Sequence, residues 1–426
     1  MPAKDGGICR IKLPCGRLSS EQAERIGIAA QRHAGGVIEA TNRANLQIRG
    51  IRAGAEQALI AELLAAGLGP RSPGADDVRN LMVSPAAGVD RAALSDVRPL
   101  AAQILETLEG NPPLHALSPK FALLLDGGEH LAMLEHPHDI WLSAVRRDKG
   151  IGYAFGLAGC PPLTADDAPA LAIVDAAQAH DLIIALLELF LELATPEQTR
   201  MRHLLANHTA ADLLQRLQAR FDLRPAGAWR RSLPAAQRRF GVVPQRQAGR
   251  VHVGAAAPLG RLTAEQLLGL AELARVHANA SLQLTPWQGV LLSDVADAEG
   301  ECVAQALHDL GLLGDAAAPL ARLIACTGSS GCAKALADTK ADALLLAEGL
   351  THDDTGCAVH LSGCPRSCAA AHRAPFTLLA VAEGRYDLFA RQPLSAGFGQ
   401  ALGHHLTLDE ARTLLASHPA TRSSTR

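Results

Sequence analysis

An internal duplication constrains the fold of this chain more than any other feature. Residues 14–34, PCGRLSSEQAERIGIAAQRHA, recur as residues 258–278, PLGRLTAEQLLGLAELARVHA, at an offset of 244 with nine of 21 positions identical. Each copy contains a helix-capping box, Ser19-x-x-Gln22 in the first and Thr263-x-x-Gln266 in the second, followed by apolar residues at helical spacing. The repeat therefore predicts two equivalent helices in two related structural units.

Predicted strands flank both helices. A strand precedes each helix, at 7–13 and 249–254, and a hairpin follows, at 37–51 and 281–295. The repeat then continues with small gaps into a second unit, where 78–85 aligns with 321–328 and 117–121 with 361–365. We therefore expect an α+β fold of the form A–B, linker, A′–B′, in which the two A units pair around a pseudo-two-fold axis.

Composition and charge exclude several classes of protein. The chain has 426 residues, 48% of them hydrophobic, which is enough for several packed domains. A net charge of −3 and an aromatic content of 3% argue against a nucleic-acid-binding protein. The longest apolar run, 183–193, contains two Glu and is too short to span a membrane. No signal peptide is recognised, so we expect a cytoplasmic protein without membrane contact.

Four cysteines in the second copy have the spacing of a metal centre. They form a C-x5-C pair, Cys326 and Cys332, and a C-x3-C pair, Cys364 and Cys368. A [4Fe–4S] cluster takes four Cys ligands, and glycines beside these cysteines would let the backbone wrap closely. A structural zinc site is the first alternative, although zinc pairs are usually closer in sequence, and unliganded buried thiols are the second. The alignment gives these copy-one equivalents, none of which is a cysteine: Val83, Val89, Lys120 and Leu124.

A duplicated unit with these cysteines in its second copy resembles the sirohaem-dependent sulfite and nitrite reductases. The resemblance implies two ferredoxin-like half-domains, 1–72 and 246–315, and two α/β nitrite/sulfite reductase-like domains, 73–160 and 316–426. Residues 161–245 would then be a helical and Pro/Arg-rich linker. The resemblance also implies that the cluster lies beside a tetrapyrrole, and that basic side chains of the first copy line the substrate face.

Three motifs carry this resemblance onto individual residues. Thr41-Asn42-Arg43 and Arg79-Asn80 match the two arginine motifs of the substrate face, and Lys120-Phe121-Ala122 matches a motif with two lysines, the second of which is replaced by Ala122. Arginine pairs bidentately with carboxylates such as those on the rim of a tetrapyrrole. The candidate substrate-binding residues are Arg43, Arg49, Arg79, Lys120 and Arg366.

The second cysteine pair departs from the reductase pattern. The segment VHLSGCPRSCAAAHRAP, 359–375, places His360 before Cys364 and His372 after Cys368, and resembles the precorrin-3B synthase branch of the superfamily. That resemblance implies O2-dependent hydroxylation of precorrin-3A at C20, with closure of a γ-lactone, in cobalamin biosynthesis. NADH would supply the reducing equivalents of this monooxygenase reaction, and a mononuclear non-haem iron is associated with the branch. His360 and His372 are the candidate catalytic residues.

Two other functions stay open at this stage. The chain could be a sirohaem-dependent nitrite or sulfite reductase, or a non-catalytic [4Fe–4S] electron carrier, although a carrier does not need so large a scaffold. No G-x-G-x-x-G fingerprint for a dinucleotide opens a βα unit. We therefore expect a separate electron-donating protein that is fed by NADH.

Overall fold

Four five-stranded sheets organise the part of the chain that the computed structural model describes, which is residues 1–148, 150–350, 357–370, 374–392 and 397–418. The first half-domain comprises β1 (Pro2–Ala3), β2 (Gly6–Ile11), β3 (Arg17–Ser19), α1 (Ser20–His33), β4 (Val37–Ala40), β5 (Leu46–Ile51) and α2 (Glu56–Ala65). Ser19 caps α1 by accepting a hydrogen bond from the Gln22 amide at 3.1 Å, so the predicted capping box is present.

The first α/β unit is a sheet with helices on it. Its elements are β6 (Leu81–Val83), α3 (Arg98–Gly110), β7 (Leu123–Asp126), β8 (His138–Arg147), β9 (Gly150–Gly159), β10 (Ala172–Asp175), α4 (Ala179–Leu193), α5 (Met201–Leu204) and α6 (Ala210–Gln218). Strands β6, β7 and β8 are parallel, and β9 and β10 extend the sheet in antiparallel pairing.

The second half of the chain repeats this order. Its half-domain comprises β11 (Gly241–Pro244), β12 (Arg250–Ala256), β13 (Arg261–Thr263), α7 (Ala264–His277), β14 (Ser281–Leu284), β15 (Gly289–Ala296) and α8 (Gly300–Asp309). The second α/β unit comprises β16 (Leu323–Ala325), α9 (Thr339–Glu348), β17 (Val359–Ser362), β18 (Phe376–Ala382), β19 (Arg385–Ala390), β20 (Gln400–Leu406) and α10 (Leu408–Ser417). Among the described helices, none combines the length and the apolar character needed to cross a bilayer.

The two half-domains exchange their short strands. Strand β13 of the second copy pairs with β4 of the first, and β3 of the first copy pairs with β14 of the second. Buried residues of both copies, including Leu18, Ile26, Leu262 and Leu270, form one continuous core in which α1 packs against α7. The expected α+β duplication with a pseudo-two-fold pairing is therefore confirmed, and the exchange makes each sheet a product of both copies.

Repeated backbone conformations show how closely the copies match. Cys15 and Leu259 both have a left-handed backbone, with φ of 53° and 50°, and both stand directly before a glycine. Ala44 and Gln288, in the hairpin turns, also share this conformation, with φ of 54° and 62°. Residues other than glycine rarely adopt such angles, so the same angles at the same offset of 244 reflect one turn geometry kept in both copies.

The segment predicted as a linker belongs largely to the first α/β unit. Strand β10 pairs with β9, and α4 packs on the sheet with Leu182, Leu186 and Phe190 buried. The rings of Phe190 and Phe121 lie 4.7 Å apart between their centroids. The apolar run at 183–193 is therefore the buried face of a helix, and the expectation of a linker over 161–245 was wrong for these elements.

Strand register also corrects the sequence alignment of the two α/β units. Val83 pairs with Leu125 in the first unit, as Ala325 pairs with Leu361 in the second. Hence Ser84 corresponds to Cys326, and Gly128 corresponds to Cys364. Lys120 lies before its strand and is not the equivalent of Cys364, because the alignment gap falls before β7 and not after it.

Candidate functional site

The two cysteine pairs emerge at the same edge of the second α/β sheet. Cys326 directly follows β16, and Cys364 follows β17 by two residues. Because these strands are parallel neighbours, their carboxyl ends meet at one edge, where α/β sheets usually bind ligands. The Gly363 amide donates a hydrogen bond to Cys326 Sγ at 3.2 Å, so the two loops are in direct contact. A Cβ atom at position 363 would lie only 2.6 Å from Ala335 Cβ, which explains the glycine there.

The four thiols act on one another electrostatically. Burial raises the pKa of the Cys368 thiol, and the charges of the other three cysteines raise it further. Among the described residues, no group of three or more His, Cys, Asp or Glu side chains is arranged to hold a single metal ion. The donor set is four thiolates, two from each loop. This donor set fits a cluster with one thiolate on each iron better than it fits zinc.

A cavity of about 560 Å³ opens beside the cysteine loops. Cys326 and Cys368 line it together with residues of the first half-domain and of the first α/β unit. Its size is in the range of sites for small molecules and cofactors. Five basic and three acidic side chains contribute to the lining: Arg10, Lys12, Arg43, Lys120 and Lys340, with Glu39, Asp76 and Asp77. The balance favours an anionic ligand.

Arg43 and Lys120, both predicted to bind substrate, line this cavity. Arg43 lies in the turn between β4 and β5, directly after Asn42, which also lines the cavity. Burial lowers the pKa of the Arg43 guanidinium, and the nearby positive charge of Arg200 lowers it further. A carboxylate placed at Arg43 would therefore relieve repulsion between two arginines.

Two of the other predicted arginines are engaged within the protein. Arg79 is buried and donates a hydrogen bond to Asp76 at 2.8 Å, so it contributes to the cavity wall through Asp76. Arg49 is also buried, pairs with both carboxylate oxygens of Asp5 at 2.9 Å, and donates to the Gly331 carbonyl at 3.1 Å. It is outside the cavity lining, because its guanidinium faces the C-x5-C loop.

The remaining predicted residues lie apart from the cavity lining. Arg366 is exposed on the C-x3-C loop. His360 is buried within β17, where it stands in register with Ile324 and Thr377 of the neighbouring strands. His372 lies outside the described residues. The placement of His360 in the sheet gives no support to direct contact with a ligand in the cavity.

Sequence reasoning missed several charged residues of the cavity. Arg10 lies in β2 and Lys12 lies directly after it. Their spacing of two residues places both side chains on one face of the strand. Lys340, in the first turn of α9, is buried, donates to the Leu259 carbonyl at 2.5 Å and lies 3.8 Å from Glu39. Burial lowers the pKa of Lys340 to about 8. No sequence motif marks this lysine as a buried residue.

The position of the missing second lysine has its own set of contacts. The Ala122 amide donates to Asp139 at 2.8 Å, and the same carboxylate accepts a hydrogen bond from Arg200 Nε at 2.8 Å. Asp139 is buried and also accepts from the Met201 amide at 2.8 Å. Position 122 thus takes part in these contacts only through its backbone amide, and its alanine side chain supplies no cation.

Comparison with known proteins places these features in a family. The chain matches the family described as "Nitrite and sulphite reductase 4Fe-4S domain" over residues 74–224. It also matches the "Nitrite/Sulfite reductase ferredoxin-like half domain" over residues 1–66 and 243–310. The first match covers the α/β unit that lacks the four cysteines, since the two units share one fold.

Relatives and a solved structure extend over most of the chain. The ferredoxin–nitrite reductase of Synechococcus elongatus is 31% identical over 379 residues, which cover 85% of this chain and 73% of that protein. The precorrin-3B synthase of a Sinorhizobium species is 28% identical over 395 residues, which cover 90% of this chain and 79% of that protein. The NirA protein of Mycobacterium tuberculosis has a similar fold, with a TM-score of 0.76 at 21% identity, over 96% of this chain and 79% of that chain.

Proposed function

Because the chain belongs to the nitrite and sulphite reductase family, we propose that it is an oxidoreductase that holds a [4Fe–4S] cluster beside an anionic tetrapyrrole. The ligands of the cluster would be Cys326, Cys332, Cys364 and Cys368. One observation carries this proposal: Cys326 and Cys368 line the same cavity as Arg43 and Lys120. A cluster on those cysteines and a carboxylate-rimmed ring on those cations would be neighbours in one site.

The side chains of this site bind and orient the ring. Arg43 offers a planar fork of donors that suits a carboxylate, and Lys120 adds a point charge from the first α/β unit. Buried Lys340, 3.8 Å from Glu39, adds a further positive charge to the cavity lining that would hold the ring. When bound, the cluster would supply single electrons, which a separate electron-donating protein would deliver.

Reduction of a small anion is the reaction that the relatives favour. The similar proteins from Synechococcus elongatus and Zea mays are named ferredoxin–nitrite reductases, and the maize protein is 31% identical over 384 residues. In this function the tetrapyrrole is a resident sirohaem, nitrite is the substrate and a ferredoxin is the donor. Sulfite reduction is less well supported, because Ala122 replaces one of the two expected lysines.

Conversion of precorrin-3A to precorrin-3B is the second candidate. It is favoured by Ala122, by the SGCPRSC form of the second cysteine pair, and by the precorrin-3B synthase relative. In this function the tetrapyrrole is the substrate. One atom of O2 enters the product at C20, the other leaves as water, and NADH supplies two electrons through the donor protein. The described residues hold no three-ligand site for a mononuclear iron, so no step is assigned to such an iron.

Absorption spectroscopy of anaerobically purified protein, combined with iron and sulfide analysis, tests the proposal. Iron and sulfide together with an extractable sirohaem, and turnover of nitrite with reduced ferredoxin, would establish the first reaction. Iron and sulfide without a haem, and a product of precorrin-3A that gains one oxygen from 18O2, would establish the second. A protein that binds neither iron and sulfide nor a tetrapyrrole after reconstitution would overturn both.

A further inference from the structure

We propose that the first half-domain is a clamp that holds both cysteine loops in the geometry the cluster needs, with Arg49 as its principal positioning residue. The inference rests on the proposed cluster and assigns a task to a half-domain that contributes no cluster ligand. It also gives Arg49 a different role from the predicted contact with substrate. The clamp consists of Lys4, Asp5, Glu39, Asn42 and Arg49.

The C-x5-C loop is held at three points between its cysteines. Arg49 Nη2 donates to the Gly331 carbonyl at 3.1 Å, next to Cys332. Lys4 Nζ donates to the Ser329 carbonyl at 2.8 Å. The Thr327 hydroxyl donates to Glu39 at 3.2 Å, next to Cys326. All three partners belong to strands or turns of the first half-domain, more than 280 residues away in sequence.

The C-x3-C loop is held by the turn between β4 and β5. Asn42 Nδ2 donates to the carbonyls of Cys368 and Ala369, each at 3.3 Å. The same turn carries Arg43, which lines the cavity. A single hairpin of the first copy thus sets the position of a cysteine backbone and of the cation that faces the ligand.

Arg49 is itself fixed before it reaches the loop. Two hydrogen bonds of 2.9 Å to Asp5 orient its guanidinium, and its Nη1 lies 3.7 Å from Glu39. A Cβ atom at position 331 would lie 2.7 Å from Arg49 Nη2, so only glycine lets the loop approach this closely. The planar guanidinium can satisfy the carboxylates and the carbonyl at once, whereas the ammonium of a lysine cannot reproduce that fork.

The test is the rate at which iron leaves the protein. Wild-type chain and the variants Arg49→Gln, Arg49→Lys and Lys4→Met are purified anaerobically, and iron release to a chelator is followed at a fixed temperature. Arg32→Gln is the matched control, because Arg32 is an arginine of the same half-domain whose ion pair, within the described part of the chain, is with Glu62 and not with the cysteine loops. Circular dichroism before release confirms that each variant is folded.

We expect release from Arg49→Gln to be about tenfold faster than from wild type, since a hydrogen bond from a charged donor is worth at least this factor. Arg49→Lys should fall between the two, Lys4→Met should show a smaller acceleration, and Arg32→Gln should match wild type. The electron paramagnetic resonance signal of the reduced cluster should broaden in Arg49→Gln.

Two results would overturn the clamp. The first is equal release from wild type, Arg49→Gln and Lys4→Met. If Arg49→Gln does not fold, Lys4→Met alone decides, because Lys4 is exposed and its removal leaves the core intact. The second is a wild-type protein that cannot be loaded with iron and sulfide, a result that overturns the proposed function together with the clamp.

Discussion

The two α/β units share a strand arrangement but differ in what stands at the carboxyl ends of their first two strands. In both, a glycine after the second strand accepts a hydrogen bond from a leucine amide, Leu94 to Gly127 at 2.8 Å and Leu336 to Gly363 at 2.9 Å. The second unit carries thiols on these loops. In the first, the carboxylate of Asp126 pairs with Arg231 at 2.7 Å, and both residues are buried. The first unit pairs Asp126 with an arginine of its own fold, whereas the second carries the thiols that we propose as ligands of the cluster.

The largest expected effect comes from the cysteines of the second α/β unit. Cys364→Ser should remove the cluster, so iron and sulfide should fall to background and activity should be lost, because each iron needs its thiolate. Iron and sulfide analysis with absorption spectroscopy measures this. Ser84→Ala is the control at the corresponding edge of the first unit, and it should leave the iron content unchanged. Full iron in Cys364→Ser, or loss of iron in Ser84→Ala, would contradict the assignment of the cluster to one half.

The second effect is on the buried ion pair of the first unit. Arg231→Met leaves Asp126 charged in a buried site, so we expect the free energy of unfolding to fall by about 3–5 kcal/mol. Arg224→Met is the control, since the Arg224–Asp222 pair is more than half exposed on both sides and its loss should change the free energy of unfolding far less. Urea denaturation measures both. A loss below 1 kcal/mol in Arg231→Met would mean that the first unit does not depend on its internal charges.

The third effect concerns Glu129, which is buried near the same pair. Burial, followed by the charge of Asp126, raises the pKa of the Glu129 carboxyl to about 8 from an ordinary value of 4.5. The folded protein thus keeps a proton that the unfolded chain has lost, so stability should fall as pH rises from about 4.5 to 8 and level off above. The slope contributed by this group is at most about 1.4 kcal/mol per pH unit. Glu129→Gln should lack it.

Urea denaturation of wild type and Glu129→Gln at pH 5, 6, 7 and 8 isolates this contribution, because the other titrating groups are common to both proteins. The difference in unfolding free energy should move in favour of Glu129→Gln as the pH rises. A difference that stays constant over this range would show that Glu129 is already ionised in the folded protein.

Sequence alone predicted the features that are encoded locally. The capping boxes, the helical spacing and the hairpins of the half-domains are short-range patterns, and the duplicated copy provides each of them twice. The exchange of β3 and β13 could not be predicted in this way, because an edge strand of three residues carries no information about which copy it pairs with. The four cysteines were proposed as cluster ligands from the spacing within each pair, and that assignment stays a prediction, although Cys326 and Cys368 do line one cavity.

The role of Arg49 and the lining by Lys340 depend on contacts between distant parts of the chain. Arg49 lies in β5, in the hairpin that also carries the Thr41-Asn42-Arg43 motif. An arginine there can face either the cavity or a neighbouring loop, and the packing of Asp5 against it determines which of the two it faces. Lys340 follows Asp338, the residue that caps α9 by accepting from the Ala341 amide. A lysine in the first turn of a helix, close to the capping residue, is expected to be exposed. The loop of the second half-domain around Leu259 nevertheless covers Lys340.

The smallest expected effect compares the two half-domains, which should respond alike. The backbone amide of Gln22 donates a hydrogen bond to Ser19 Oγ, and the backbone amide of Gln266 donates one to Thr263 Oγ1, both at 3.1 Å. Ser19→Ala and Thr263→Ala should therefore each lower the free energy of unfolding by about 1 kcal/mol. The start of α7 packs beside the later part of α1, where Gln31 donates to Glu265 at 2.8 Å, so the two caps lie at opposite ends of the helix pair. Their effects should then add within about 0.5 kcal/mol in the double variant. A double variant much less stable than this sum would show that the ends of the two helices unfold cooperatively. The two half-domains would then behave as one unit and not as two independent copies.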